Sequence, residues 1–269
     1  MSKPPIDLVI GCVQIESGLE PELNLPRCLA FAREAEARGV QLLIFPESTS
    51  SRSDEPAVPP VEERVDGPFV TRLRNELADS PMTVIIGMTE ERDDGLPFNT
   101  LVAFRAGSIV ATYRKLHLYD AAGIRESDSI SPGDGPIQVF EVDGFHVGMM
   151  TCYDVRFPEL SRLLAKQGAD VLAVPTSWVS GPLKEEHWKT LSAARAIENS
   201  LYLAGAGQTG GTRIGRSHII APDGVAEVAA GYGETLLVAR LTKRRLEGVR
   251  SRFPMLDQTR FAVASAPQP

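Results

Sequence analysis

The chain is short of the residues that would place it in several large protein classes. It has only three cysteines, Cys12, Cys28 and Cys152, an odd number, widely separated, with no C-x-x-C pair and no histidine at ligand spacing. That pattern argues against a disulfide framework and a zinc site and suits a reducing cytoplasm, so neither a metal nor a cofactor is expected. Long apolar runs are missing too. None approaches the roughly 18 residues a membrane helix needs, and the opening MSKPPIDLVIGCVQI lacks an extended apolar core followed by a small-residue cleavage site, so it reads as a first strand. Positive charge is also scarce: 28 Lys and Arg against 35 Asp and Glu leave a formal charge of -7. Without a basic field, neither nucleic acid nor an anionic membrane surface is an expected partner.

What is present is ordinary globular material, 269 residues of which 43% are hydrophobic and 23% charged. Short β-branched runs alternate with longer amphipathic ones. DLVIGCVQI (7 to 15) reads as a buried strand; residues 22 to 39 place Leu25, Cys28, Leu29, Ala32 and Ala35 on one helical face and end at Gly39. A strand over 40 to 48 stops around Pro46, and a helix in GPFVTRLRNELADS precedes the strand TVIIGMTEE. Hairpins are expected at Ala106-Gly107, Asp143-Gly144 and Pro222-Asp223-Gly224. Later come the helix PELSRLLAKQGA, the strand DVLAVPTSW, the helix KEEHWKTLSAARAIENS, the strands LYLAGAGQ and ETLLVARL, and a helix from near Thr242.

About a dozen strands and four or five helices follow one another with no linker, so one domain over 1–269 is expected, with residues from about 262 as a loose tail. So many strands would strain one open sheet; two packed sheets with helices outside are the natural solution. The loops at 50 to 66 and 119 to 136 are long enough to be functional. GAGQTGG (205 to 211) lacks the lysine of a phosphate-binding loop and reads as a connection.

Three strand ends each carry a reactive group: Glu47 after LLIFP, Lys115 after IVATYR, and Cys152 after VGMMT. Strand ends on one sheet edge are where α/β folds gather catalytic groups. A carboxylate can take a thiol proton and return it to a leaving amine. An ammonium, with the backbone N–H of Tyr153, can hold the oxyanion. The helix opening at Pro158 and the ammonium are both expected to lower the thiol pKa. The trio describes acyl transfer through a thioester.

The blocks FPES, YRKLHLYD and TCYDVRFPEL resemble the three catalytic blocks of the nitrilase superfamily of carbon-nitrogen hydrolases, and the likeness runs from Leu8 to about Phe261. The resemblance implies an α/β fold, a four-layer αββα sandwich of two mixed sheets flanked by helices, that forms a homodimer or higher homo-oligomer through its helical layer. It also implies Glu47 as general base, Lys115 as oxyanion stabiliser and Cys152 as nucleophile. Glu126 in GIRESDSISPG matches a second glutamate that orients the amide or the attacking water. YDVRFPEL with SWVSGPLKEEHWK is most similar to the branch of deaminated glutathione amidases and omega-amidases. The extra residues around Leu183 to Glu186 favour the former. A small-molecule amide bearing a carboxylate is therefore the expected substrate, and Arg156, four residues beyond the nucleophile, could grip that carboxylate bidentately. Tyr153, Thr176 and Trp178 are the other expected substrate-binding residues.

Less specific readings stand beside these. Cys12 and Cys28 read as core thiols. Arg156 could instead pair with Asp154 or Glu159, and Trp178 could merely pack. His117 is expected to support Lys115; His187 and Trp188 are expected to pack a helix face, and RAIEN (195 to 199) to serve packing or a dimer interface. The same mechanism would serve an omega-amidase, a nitrilase or an N-carbamoyl-amine hydrolase. An inactive oligomeric scaffold and a thiol redox enzyme are the rivals from other classes, the last lacking a resolving cysteine.

Overall fold

The structure, a computed structural model, describes residues 6–55 and 57–262. The expected tail from 263 onward lies outside them. The first half of the chain runs β1 (Asp7–Gln14), α1 (Pro21–Ala37), β2 (Leu42–Ile44), β3 (Glu62–Glu63), α2 (Pro68–Glu76), β4 (Thr83–Glu90), β5 (Phe98–Arg105) and β6 (Ser108–Arg114). A small hairpin of β7 (Asp120–Ala121) and β8 (Ile124–Arg125) follows, then a 3₁₀ turn at Glu126–Asp128. The second half runs β9 (Val139–Val142), β10 (Phe145–Met149), a 3₁₀ turn at Cys152–Arg156, α3 (Pro158–Lys166), β11 (Val171–Thr176), α4 (Lys184–Asn199), β12 (Tyr202–Gly207), β13 (His218–Ile220), β14 (Ala226–Ala229), β15 (Thr235–Thr242) and α5 (Lys243–Arg252).

Two mixed sheets result. One has the order β15-β1-β2-β4-β5-β6, with β3 added beside the far end of β4; the other is β14-β13-β12-β11-β10-β9. Each has a parallel centre, β1-β2-β4 in one and β10-β11-β12 in the other, flanked by antiparallel strands. The last strand, β15, returns to pair with β1 from Asp7↔Thr242 to Gln14↔Thr235, closing the first sheet with the chain's opposite end.

The period-2 alternation of β1 assigns its side chains to two layers. Leu8, Ile10 and Cys12 join Val147, Met149 and Val171 of the other sheet and Leu160 and Leu164 of α3 in one buried cluster. Val13 and Ile15 belong to a second cluster with Leu25, Cys28 and Ala32 of α1 and Phe69, Val70 and Leu73 of α2. Helices thus cover the outer face of each sheet, giving the αββα sandwich. Trp188 of α4 is wholly buried because Gly205 of β12 lacks a side chain: a Cβ there would lie 2.5 Å from the indole.

The hairpin turns take the form their sequences dictate. Ala106 and Gly107 have φ of 46° and 71°, and Asp143 and Gly144 have 46° and 84°, the positive pair that a two-residue turn needs to match strand twist. The strand expected over 40 to 48 is shorter than its apolar run: β2 stops at Ile44. Pro46 has no N–H for a ladder, and Ser48 at φ 56° turns the chain out of the sheet. That early exit delivers Glu47 to the sheet edge.

Candidate active site

Parallel and antiparallel pairing together bring four segments to one edge. β2, β4 and β6 all point their C-terminal ends there, while β5 begins there. Glu47 sits in the turn after β2, Lys115 directly follows β6, and Asn99 is the second residue of β5. From the facing sheet, β10 and β11 end at the same level with Cys152 and Thr176.

Glu47 is gripped on its backbone as well as its carboxylate. Gly87 donates to Pro46 O at 3.2 Å and its own carbonyl receives Thr49 N at 2.9 Å; Gln208 Nε2 donates to Glu47 O at 3.0 Å. The turn lies so close to β4 that a Cβ on Gly87 would be 2.6 Å from Pro46 O and 2.7 Å from Glu47 Cα. Lys115 is held by its N–H to Asn99 O at 2.8 Å and by Gly133 N–H to its own carbonyl at 2.8 Å.

The side chains then meet. Lys115 Nζ donates to Glu47 Oε1 at 2.9 Å and to Glu126 Oε2 at 2.8 Å. Asn99 Nδ2 donates to Glu47 Oε1 at 2.7 Å and to Glu126 Oε1 at 3.2 Å, and Ser177 N–H donates to Glu47 Oε2 at 2.6 Å. Tyr119 N–H holds Glu126 Oε2 at 2.6 Å, so the 119 to 136 loop places its glutamate beside Lys115 and Asn99. The Cys152 thiol is close enough to Glu47 and Lys115 for their charges to act on it, with Thr176 beside it. Glu47, Lys115 and Cys152 are 4%, 2% and 8% exposed, so these charges act on one another with little screening.

Cys152 has φ 47°, a left-handed backbone that costs a non-glycine residue about 1–2 kcal/mol. The surrounding structure imposes it. Asp154, wholly buried, accepts from Thr151 N–H at 2.8 Å, Tyr113 OH at 2.7 Å and His117 N–H at 3.1 Å, lashing the turn that carries Cys152 to the segment that carries Lys115. His117 Nδ1 lies 2.7 Å from Asp154 Oδ1 and its ring stacks on Phe157 at 3.7 Å. It therefore braces the cysteine turn and not, as expected from its position, Lys115.

Burial alone would raise Glu47, but the Lys115 ammonium and the hydrogen bonds from Lys115, Asn99 and Cys152 hold it below the ordinary carboxylate range. Burial alone would lower Lys115, yet the Glu47 and Glu126 anions push it well above its usual value. Cys152 is pushed up to about 12, by burial first and then by the Glu47 anion, with Lys115, Thr176 and Ser177 opposing. The depressed thiol pKa expected from the sequence is overturned. The resting pair is a neutral thiol beside an ionised carboxylate, because desolvation outweighs the single ammonium.

Arg156 makes no carboxylate pair among the described residues: its Nη2 lies 3.4 Å from His187 Nδ1, and its guanidinium lies 4.9 Å over Trp178 and 5.8 Å over Tyr153. The structural pairing with Asp154 or Glu159 is not formed. Trp178 is largely buried, donating Nε1–H to Lys184 O at 3.0 Å and packing 5.3 Å from Trp188. Lys184 Nζ donates to Tyr119 OH at 2.6 Å and lies 5.8 Å from the Trp178 ring. Tyr153 meets Tyr119 edge-on at 4.9 Å. RAIEN packs: Arg195 Nε donates to Val155 O at 2.9 Å and Asn199 Nδ2 to Ser161 Oγ at 3.2 Å. No cluster of His, Cys, Asp and Glu suited to a metal occurs among the described residues, nor does any helix long and apolar enough to cross a membrane.

Asn99, Tyr119 and Lys184 had no place in the sequence reading, and Ser177 was read there only as a pocket-lining residue beside Thr176 and Trp178. The one signal for Asn99 was a polar residue opening an apolar strand in PFNT; Ser177 and Tyr119 act through backbone N–H groups, which every residue but proline carries.

Residues 9–251 match the carbon-nitrogen hydrolase family. The chain is 43% identical over 243 residues to the deaminated glutathione amidase of Escherichia coli O157:H7, covering 90% of this chain and 93% of that one. It is 30% identical over 264 residues to the omega-amidase NIT2 of Bos taurus, covering 93% and 94%. Among solved structures it resembles a variant of the amidase from Nesterenkonia sp. AN1 whose active-site cysteine carries the acetamide moiety of fluoroacetamide, with a TM-score of 0.80, 25% identity and coverage of 96% and 95%.

Proposed function

The chain belongs to the carbon-nitrogen hydrolase family, a hydrolase of carbon–nitrogen bonds, and on that premise we propose that it cleaves the omega-amide bond of a small carboxylate-bearing substrate of the deaminated-glutathione type through a Cys152 thioester. The observation that carries the proposal is the contact of Glu47 with Lys115 at 2.9 Å beside the Cys152 thiol.

The chemistry runs as follows. Glu47 takes the thiol proton as Cys152 Sγ bonds to the amide carbonyl carbon, and the carbonyl oxygen becomes an oxyanion between the Lys115 ammonium and the Tyr153 N–H. The acid is already ionised and the thiol still neutral, so proton transfer and attack are coupled and no resting thiolate is required. Glu47 then passes that proton to the leaving amine, the carbon–nitrogen bond breaks and the thioester remains. Water gives a proton to Glu47 and its oxygen to the acyl carbon; the sulfur departs and recovers the proton. Glu126, fixed by Lys115 and Tyr119, orients the amide or that water.

The carboxylate end of the substrate is assigned to Arg156, with Lys184 also close to the Trp178 ring; neither cation has an acidic partner among the described residues. Thr176, Trp178 and Tyr153 line the approach. Release of ammonia from 2-oxoglutaramate is the second reading, and the higher identity to a deaminated glutathione amidase than to an omega-amidase favours the first. We further infer that the chain works as a single domain and pairs with a second copy through its helical layer, where Ile197 of α4 is exposed.

The test is a panel of deaminated glutathione, 2-oxoglutaramate, a nitrile and an N-carbamoyl amine, run on the wild type beside Cys152→Ala. Deaminated glutathione is expected to turn over fastest, and the folded variant to lose several orders of magnitude in kcat. No hydrolysis of any amide by the wild type would end the proposal.

A further inference from the structure

Asn99 faces two acids at once. Its side-chain amide is almost wholly buried and directs Nδ2 to Glu47 Oε1 at 2.7 Å and to Glu126 Oε1 at 3.2 Å. Chemistry fixes this orientation: turned over, the amide would oppose its carbonyl oxygen to two carboxylate oxygens. Asn99 Oδ1 is buried without a partner. The residue thus leaves an acceptor unsatisfied while committing its donors to charge-assisted bonds.

The charges around Glu47 are unbalanced. Lys115 faces it from the end of β6, the Glu126 anion from the 3₁₀ turn after β8, Cys152 from the cysteine turn and the Ser177 N–H from the end of β11. Arg213 stands one group away, its Nε on Ser177 Oγ at 2.7 Å. Two carboxylates therefore share one directly bonded ammonium. Two like charges in a buried site ordinarily drive one to bind a proton. A proton shared between Glu47 and Glu126 would leave Glu47 unable to accept the one from the thiol.

We propose that Asn99 is a positioning residue that keeps Glu47 ionised beside Glu126, its two N–H dipoles supplying the positive potential that the lone lysine does not. The role rests on the reading of this pocket as a thiol amidase, and it adds what makes the base available.

Asn99→Asp is nearly isosteric and replaces the two donors with a third acid. The acid limb of kcat/KM, and that of Cys152 alkylation by iodoacetamide, should move up by about one pH unit or more, a tenfold loss at pH values below the limb. Asn99→Asp with Glu126→Gln restores the count of acids, and its limb should return most of the way to that of the wild type, although kcat falls. Asn99→Leu keeps bulk without donors and should lower kcat about tenfold to a hundredfold with KM changed less than threefold. Thermal melts and circular dichroism verify folding; if Asn99→Asp does not fold, Asn99→Ser, which shortens the donor, must show a smaller shift of the alkylation limb in the same direction.

A limb for Asn99→Asp that overlays the wild type, or one that stays displaced in the double variant, would overturn the proposal, since a purely steric role predicts neither the shift nor its reversal. Alkylation needs no substrate, which separates the two claims. A wild type that hydrolyses no amide yet shows the Asn99-dependent limb sinks the amidase reading alone. An active amidase whose limb ignores Asn99→Asp sinks the positioning role alone.

Discussion

Ser177 donates its backbone N–H to Glu47 Oε2 at 2.6 Å, tying the end of β11 in one sheet to the turn after β2 in the other. With Lys115 and Asn99 on Oε1, both oxygens of the proposed base are held across the sandwich. Its position therefore depends on the packing of the two sheets, and small changes there should reach the chemistry.

Glu47→Gln should keep the fold and lose the base. A glutamine amide must turn its NH₂ toward either Lys115 or Ser177, both donors, so its acceptor can serve only one of them. General-base catalysis accounts for about 10²- to 10⁴-fold in rate, and kcat should fall by that order with a smaller change in KM. Steady-state kinetics on the variant checks it; activity within tenfold of the wild type would remove Glu47 from the role.

Gly87→Ala should be damaging although it adds only one methyl group and removes no polar group. The new methyl would stand 2.6 Å from Pro46 O, 2.7 Å from Glu47 Cα and 2.8 Å from Ser48 N, all backbone atoms that cannot rotate aside. Overpacking of this kind costs about 1–3 kcal/mol. Because the strain is relieved by moving Glu47, kcat should fall more than stability would imply. Chemical denaturation and kcat measured together decide this; a variant with wild-type kcat would show the turn can yield without moving the carboxylate.

Acid should weaken the fold through His218. Burial holds this imidazole neutral and lowers its pKa from 6.5 to about 4, with a backbone hydrogen bond at Arg216 opposing. Between those values the unfolded chain binds a proton that the folded chain refuses, so stability falls as pH drops from 6.5 toward 4. The full difference is about 3 kcal/mol. Denaturation midpoints across that range measure it. His218→Asn removes the titration, and the slope should flatten; an unchanged slope would assign the acid sensitivity elsewhere, for instance to Asp170, which Lys243 and Arg250 hold below the ordinary carboxylate range despite burial.

How much of the site could be read beforehand differs by residue. Glu47, Lys115 and Cys152 were legible because each follows an apolar run and so had to lie at a strand end. Asn99 was not, and the reason is a register shift. From the turn at Ala106-Gly107, Arg105 pairs Ser108 and Phe104 pairs Ile109. Continued regularly, that ladder would set Asn99 opposite Arg114; the irregularity between Ala103 and Phe104 pairs Thr100 with Arg114, and Asn99 receives the Lys115 N–H instead. A bulge is an agreement between two strands and the layer beneath them, and neither strand announces it alone.

Local chemistry was decided by the chain itself: where apolar runs stop, which glycines accept positive φ, which proline halts a ladder, and hence which side chains stand at strand ends. These depend on a few adjacent residues. Folding in three dimensions decided the return of β15 to β1, the register that selects Asn99, the bracing of the cysteine turn by His117, and a Cys152 thiol whose pKa is raised where its neighbours in sequence suggested a lowered one. Pairing and protonation are sums over groups remote along the chain, and such sums exist only once the sheets have packed.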